Sequence, residues 1–348
     1  MAALDHQVAD PMAPLDAQMG VWPLLDVPAD MEEALFGPIP DPGGGAPSQP
    51  PLYAVLEGAR LPKLFDLIDD DAVPHAPLFQ GEVAEALGEE VPVLVALERG
   101  HKLLRQLLTD LGDDDAPTGL LPREAAVFLR SGAGLAAVRG HLRHFTQLPD
   151  GEGRRIYFRF WEPASLAPYL DHIAGDPGQV AAWFCDPRAP VARVIIPGRT
   201  PDGWLLHQFA PVLPPDTPRT PVILDAPTRE VLRLARYNAN VLESVRLLLR
   251  TFPDALAGQP PRKLRSRIDR LYRKMIPLGF HGKQALFMLA AWEVHYGPDF
   301  ESRDPEGHLA RVLATPGRED DRLRSLRERL EALPPESLDP VVPEGAEA

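Results

Sequence analysis

The stretch from Arg154 to Pro163 constrains the fold more than any other part of the chain, because it holds four aromatic residues within five positions. Aromatic residues make up only 7% of the whole sequence, so this cluster marks a structural centre. Its two-residue alternation predicts a β-strand with two different faces. One predicted face holds Ile156, Phe158 and Phe160, and the other holds Tyr157, Arg159 and Trp161. Arg159 and Glu162 are unusual in so apolar a strand, so they either pair within the fold or face a ligand.

Short apolar segments alternate with segments of helical periodicity on both sides of this stretch. That alternation predicts an α/β domain over residues 52–210, with a mixed or largely parallel sheet and flanking helices. The predicted strands are 52–58, 76–79, 91–97, 125–130, 192–196 and 204–209. The predicted helices are 61–68, 98–111, 135–148 and 165–173.

The rest of the chain differs from this domain in composition. From residue 225 to 333 the apolar residues recur only at helical spacing, which predicts an all-α C-terminal lobe. Proline and glycine enrichment predicts a disordered tail and linker at 1–51 and a proline-rich connector at 211–224. Residues 334–348 form a predicted polar tail.

Charge and apolar runs bear on the class of protein. The formal charge of −14 argues against a chain that binds nucleic acid or a membrane surface as a whole. No apolar run approaches the ~20 residues of a membrane-spanning helix, and the N-terminus lacks the pattern of a secretory signal. The single cysteine, Cys185, suits a reducing compartment. We therefore expect a cytoplasmic protein.

The motif most typical of an enzyme is Gly132-Ala133-Gly134-Leu135-Ala136-Ala137, which follows a predicted strand and opens a helix. It matches the Gly-x-Gly-x-x-Gly/Ala dinucleotide fingerprint, in which a tight turn and a helix N-terminus bind pyrophosphate. The fingerprint also needs a βαβ unit with an acid near the end of its second strand, whereas Asp150 and Glu152 lie in a predicted turn. Two interpretations of this motif therefore remain: a glycine-rich turn that binds no ligand, or the nucleotide site of an enzyme that uses Gly132 and Gly134.

Other polar groups give no convincing catalytic set. His141 and His144 share a predicted helix face but have no third ligand motif, and Arg139 and Arg143 beside them would repel a cation. The triplet Asp113 to Asp115 fits no EF-hand spacing and is typical of a solvated turn. We predict no enzyme activity, no cofactor and no metal site.

Positive charge is concentrated in the predicted C-terminal lobe. Thirteen Lys or Arg residues and five Asp or Glu residues occur between Asp225 and Lys283, a net charge of +8. One amphipathic segment carries the predicted partner-binding residues Arg262, Lys263, Arg265, Arg267, Arg270 and Arg273. Three interpretations remain open for this segment: a solvated helix face, a docking surface for an acidic protein, or a nucleic-acid contact. Few aromatics interleave with the basic residues, which weakens the third.

The order of several short motifs resembles a bacterial domain family whose members serve as adaptors or chaperones for type VI secretion effectors. The resemblance covers about residues 52–180. The motifs are 53–60 (Tyr-Ala-Val-Leu-Glu-Gly-Ala-Arg), 77–81, 91–95, 141–143 and the fold signature Phe158, Arg159, Phe160, Trp161, Glu162 and Pro163. Aspartate is usual in the family at the position of Glu162.

The resemblance implies a non-enzymatic protein that binds one effector in the cytoplasm, often through the effector's N-terminal region. It also implies help in loading that effector onto the secretion spike, with no role for nucleic acid or a membrane. On this interpretation Arg159 and Glu162 are framework residues that pair inside the domain. Removing one partner of a buried charge pair costs about 3–5 kcal/mol, so we expect Arg159→Ala to unfold the domain.

Overall fold

Nine β-strands and twelve α-helices occur in the described residues, 2–40, 46–113, 116–214 and 216–334 of the computed structural model. The strands are β1 Leu4–Met12, β2 Leu52–Leu56, β3 His75–Pro77, β4 Val93–Leu97, β5 Ala126–Ser131, β6 Gln147–Pro149, β7 Arg155–Tyr157, β8 Val191–Thr200 and β9 Gly203–Pro211. The helices are α1 Ala29–Phe36, α2 Leu64–Asp70, α3 Glu82–Leu87, α4 Lys102–Leu107, α5 Leu135–Arg143, α6 Pro163–Ile173, α7 Pro177–Phe184, α8 Ala226–Thr251, α9 Pro261–Met275, α10 Lys283–Tyr296, α11 His308–Ala314 and α12 Glu319–Ala332.

The first unit, which runs to Arg236, is built on a seven-stranded sheet of order β1-β9-β8-β5-β2-β4-β3. All six pairings between its strands are antiparallel; Ala54, for example, lies opposite Val95 on one side and Phe128 on the other. The α/β class is confirmed, but the expected parallel pairs do not occur in this sheet. The alternation of short strands with helices suggested parallel pairs, because a helix often connects two parallel strands. Here the alternation accompanies an antiparallel sheet.

Helices cover both faces of the sheet and give two separate cores. Tyr53 and Val55 of β2 face the core that α5, α6 and α7 complete. Leu52, Ala54 and Leu56 face the opposite core, which α1, α2 and α4 complete. Because successive side chains of a strand point to opposite faces, both sets of side chains are buried in β2, and all five of them are apolar.

The N-terminal segment is ordered where the sequence predicted a disordered tail. β1 pairs along β9, with His6 opposite Phe209, and forms an edge of the sheet. Leu4 is buried in one core and Met12 in the other. The prediction for 1–51 was wrong here because an edge strand exposes much of its length and tolerates Asp and Pro. Residues 41–45 of the predicted linker lie outside the described residues.

Residues 220–224 of the proline-rich connector pack within the first unit, so the connector does not separate two domains. The Thr220 amide donates to the Gly178 carbonyl (3.1 Å) and the Leu224 amide to the Pro149 carbonyl (2.9 Å). Val222 and Leu224 are buried in the first core. The units divide later than predicted, between Arg236 and Tyr237 within α8. Proline content alone therefore misplaced the boundary.

The second unit is all-α in the part that the structure describes, which confirms the predicted helical lobe. Its core joins the apolar faces of α9, α10 and α12, and includes Leu264, Ile268, Leu271, Met275, Leu289 and Leu326. From residue 335 onward the predicted polar tail lies outside the described residues. Among the described helices, none combines the length and apolar character that crossing a membrane requires.

Candidate functional site

The stretch from Arg154 to Pro163 is a strand over only part of its length. Arg155–Tyr157 pairs with β6 in a small two-stranded sheet, and the chain leaves the strand at Phe158. Phe158, Phe160 and Trp161 are all buried, so the predicted two-sided alternation is wrong beyond Tyr157. The chain bends there, so two consecutive aromatics, Phe160 and Trp161, enter the core together. Pro163 begins α6, where the missing amide of a proline is tolerated.

The buried signature aromatics form a cluster with residues of α6 and α7. Phe158 lies against Tyr169 with ring centroids 4.9 Å apart, and Phe160 lies 5.6 Å from Trp183. The Trp183 indole donates to the Tyr169 hydroxyl at 3.0 Å. Burial raises the pKa of Tyr169 well above its usual range. The tyrosine is thus a neutral core group whose polar atom has a partner, and this cluster has a structural role.

Arg159 leaves the aromatic cluster and joins a network of four charged residues. Its guanidinium donates to Glu57, directly after β2, and its Nε lies 2.7 Å from the Glu162 carboxylate. Arg60 Nε lies 3.1 Å from the other Glu57 oxygen. The Glu57 side chain is only 2% exposed, whereas that of Arg159 is 48% exposed. The expected pairing of Arg159 with Glu162 is therefore present, but the buried member of the network is Glu57.

Burial dominates the electrostatics of Glu57. It raises the pKa of this carboxyl, while Arg60 and Arg159 act in the opposite direction. The buried carboxylate and the half-exposed arginine hold two chain segments together, and the carboxylate is almost closed to solvent. We therefore assign the network a framework role.

The predicted basic helix exists as α9, and its residues have different roles. Arg267 is 19% exposed; its Nε donates to the Glu293 carboxylate at 3.0 Å and its Nη2 to the Glu293 carbonyl. Arg273 pairs with Asp269 on the same helix at 3.0 Å. Arg265 reaches the Asn238 side chain at 3.4 Å. Arg267 thus anchors α9 to α10 inside the second unit and is poorly placed to meet a partner.

The remaining predicted partner-binding residues, Arg262, Lys263 and Arg270, have exposed side chains. The opposite face of α9 is buried through Leu264 and Ile268, as the amphipathic pattern predicted. The exposed part of the basic surface is therefore smaller than the six predicted residues.

The turn at Gly132 and Gly134 does not belong to a βαβ unit. β5 precedes it, but α5 leads into β6, which lies in the separate two-stranded sheet. The Tyr53 hydroxyl donates to the Ala133 carbonyl at 2.6 Å, and the Ser131 hydroxyl donates to the Pro190 carbonyl at 2.6 Å. The turn thus has partners within the fold, and the topology that the dinucleotide fingerprint requires is missing from these elements.

The remaining polar residues considered as candidate sites, His141 and Cys185, have surroundings typical of structural residues. His141 is buried; one ring nitrogen lies 2.8 Å from the Trp183 carbonyl, and burial lowers its pKa. Burial also raises the pKa of the Cys185 thiol, which opposes formation of a nucleophilic thiolate. No group of three or more potential metal ligands occurs in the described residues. Asp114 and Asp115 of the acidic triplet lie outside them.

One polar cluster escaped prediction because its members are far apart in sequence. His6 of β1 lies between Asp171 (Nδ1 to Oδ1, 3.1 Å) and His207 of β9 (Nε2 to Nδ1, 3.0 Å). The His6 ring stacks on Phe209 at 4.1 Å. The pairing of β1 with β9 brings His6 beside His207 and Phe209, and α6 supplies Asp171.

Comparison with known proteins identifies a domain within the first unit. No curated protein and no solved structure gives a significant match to the chain. Residues 52–179 match the model of a family described as "Domain of unknown function (DUF4123)". This region contains Glu57, Arg159 and Glu162, and it ends within α7.

Proposed function

We propose that this protein is a non-enzymatic adaptor or chaperone that binds a type VI secretion effector in the cytoplasm and helps to load it onto the secretion spike. The observation that carries the proposal is the ordered set of motifs that resembles the effector adaptors. The region of that resemblance, about 52–180, coincides with the matched domain at 52–179. The contact of Glu57 with Arg159 supports it, because it joins the first motif to the signature in one framework.

The second unit offers a surface for an acidic part of the effector. Lys263 and Arg270 are exposed on α9, and Arg265 is half-buried beside them. Opposite charges at the rim of an interface speed association and help to select the partner. Arg267 is excluded from this surface because it is paired inside the unit.

Co-expression tests the proposal directly. The tagged full chain is expressed with each protein encoded by the neighbouring genes, and complexes are isolated by affinity and size-exclusion chromatography. We expect one neighbour with a toxin domain to co-purify through its N-terminal region. Failure of every neighbour, including a spike protein, to form a complex would contradict the proposal.

Charge reversal then locates the surface. K263E/R270E should weaken the complex by about tenfold, equivalent to ~1.4 kcal/mol. The matched control is K102E/R188E, which makes the same charge change at two exposed residues of the first unit. If K263E/R270E forms the complex as wild type does, the proposed adaptor function stands but the proposed role of α9 in binding is contradicted.

A further inference from the structure

The segment from Met19 to Leu25 carries the densest group of exposed apolar side chains in the described part of the chain. Met19 is 91% exposed and Trp22 is 90% exposed. Val21, Leu24 and Leu25 are exposed beside them. Soluble proteins seldom leave such a contiguous patch in water unless it serves an interaction. Tryptophan and methionine are also enriched in protein interfaces.

The loop is held in place at both ends. The Gln18 side chain closes it, because its amide donates to the Leu25 carbonyl (3.0 Å) and accepts from the Leu25 amide (2.7 Å). Gln18 itself is buried. The backbone of Leu15 pairs on both sides with the segment after α4, donating to Leu108 and accepting from Asp110.

The far end of the loop is fixed by Asp26. Its carboxylate accepts from the Gly100 amide at 2.9 Å and from Arg105 at 2.6 Å. The exposed apolar side chains are thus presented by an anchored loop, and a preorganised surface loses less conformational entropy on binding.

Charge around the loop indicates what kind of surface it meets. The first 59 residues contain nine Asp or Glu residues and no Lys or Arg. Asp10, Asp16 and Asp30 are exposed in this segment. The nearby arginines Arg99 and Arg105 are each paired, with Glu32 and Asp26. An acidic setting repels an anionic lipid surface and complements a basic protein surface.

We propose that the Met19–Leu25 loop docks onto a cationic amphipathic helix of a partner protein. Trp22 and Met19 insert into the apolar face of that helix, and its flanking lysines or arginines meet the carboxylates around the loop. A second copy of this chain does not offer α9 for this purpose, because the apolar face of α9 is buried in its own unit. This inference goes beyond the proposed function, which assigns no role to the N-terminal segment.

A defined peptide tests the proposal without any knowledge of the natural partner. The probe is a helical peptide of about 18 residues, five turns, with leucines on one face and lysines on the other. A second peptide carries glutamate in place of every lysine. Binding to the full chain is measured by isothermal titration calorimetry for wild type, for M19S/W22S and for V83S, a control at an exposed valine of α3.

We expect the lysine peptide to bind wild type and V83S alike, and to bind M19S/W22S at least about tenfold more weakly, as for loss of an interface hot spot. The glutamate peptide should bind none of them measurably. The proposal is overturned if wild type fails to bind the lysine peptide, if M19S/W22S binds it as wild type does, or if the glutamate peptide binds equally. Loop-dependent binding to phosphatidylcholine or phosphatidylserine vesicles would replace the protein partner with a membrane surface and also overturn it.

Discussion

The Arg159 guanidinium donates to the carboxylate of Glu57, although 102 residues separate the two in the chain. Glu57 follows β2, an interior strand of the sheet, and Arg159 lies between β7 and α6. The two residues are therefore the point at which the sheet and the signature segment are joined. Arg60 and Glu162 complete the network, one at each of its ends.

Arg159→Ala should destabilise the first unit by about 1–3 kcal/mol without unfolding it. The expectation of a cost of 3–5 kcal/mol assumed a fully buried arginine, but the side chain is half exposed and Arg60 remains beside Glu57. Loss of one partner leaves a buried carboxylate poorly paired, which costs about 1–3 kcal/mol. Urea denaturation followed by circular dichroism measures the change in the free energy of unfolding.

A double-mutant cycle separates this ion pair from general disruption. In the Glu57→Gln background, Arg159→Ala should cost less, with a coupling energy of at least about 0.5 kcal/mol. Arg155→Ala is the matched control, because Arg155 is exposed and its side chain donates to the Gln147 carbonyl at the surface; its cost should stay within about 0.5 kcal/mol. Additive single variants would contradict the assigned pair.

The sequence predicts those elements whose apolar pattern is set locally. β2 and β4 are continuous apolar runs, β5 begins with one over residues 126–129, and α9 has an apolar stripe at helical spacing, so each can be identified without the rest of the fold. Strand direction is different, because apolar runs look the same whether neighbouring strands run parallel or antiparallel. It depends on the course of the connections, which local periodicity does not report.

The features that the sequence hides are those that depend on distant partners. β1 contains Asp5, Asp10 and Pro11, and its pairing with β9 becomes visible only in the sheet. Glu57 resembles a surface residue at a strand end until Arg159 is placed beside it. The exposure of Met19 and Trp22 is equally invisible, since apolar residues in a proline-rich segment give no periodic signal of burial or exposure.

Arg267→Ala should destabilise the second unit by about 3 kcal/mol, near the lower end of the range for breaking a buried ion pair. Its partner Glu293 is 8% exposed, and burial already raises the pKa of that carboxyl despite Arg267. Arg270→Ala on the same helix is the control and should change stability by less than about 0.5 kcal/mol, because that side chain is exposed. Equal unfolding midpoints in urea for the two variants would contradict the distinction.

The stability of the first unit should fall in mild acid partly because of His207. Burial, with His6 nearby, lowers the pKa of His207 to about 4, while Asp171 acts in the opposite direction. The unfolded chain, with a histidine pKa of about 6.5, binds more protons between these values. The contribution of neutral His207 to the free energy of unfolding is therefore fully present above about pH 6.5, and it is lost as the pH falls toward 4.

Protonation of His207 should lower the free energy of unfolding by about 1–3 kcal/mol. This is less than the full pKa shift would give, because the ring is only partly buried. The test compares the free energy of unfolding of wild type and His207→Gln at neutral pH and at about pH 4.5, close to the folded pKa. His281→Gln, at an exposed histidine, controls for the general titration of the protein. Wild type should lose more stability than His207→Gln; identical pH slopes would contradict the prediction.

Arg130 should be essential for holding the N-terminal segment on the sheet. Its side chain is buried, and it donates to the carbonyls of Pro50 (2.8 Å) and Gly37 (3.2 Å), which lie on either side of residues 38–49. Burial lowers its pKa to about 10, so the guanidinium stays charged at neutral pH. Arg130 also donates to the Ala34 carbonyl at 3.4 Å, so Arg130→Leu removes a donor from three carbonyls and should cost about 2–4 kcal/mol.

Limited proteolysis tests whether Arg130 attaches the N-terminal segment to the sheet. Arg130→Leu should be cleaved within the first 51 residues faster than wild type, because α1 and the segment after it lose their attachment to β5. Arg193, opposite Arg130 in β8, provides the control. Arg193→Leu removes a neighbouring positive charge that disfavours charged Arg130, so it should leave the cleavage rate unchanged or reduce it. Equal cleavage rates for Arg130→Leu and Arg193→Leu would show that the buried arginine does not anchor this segment.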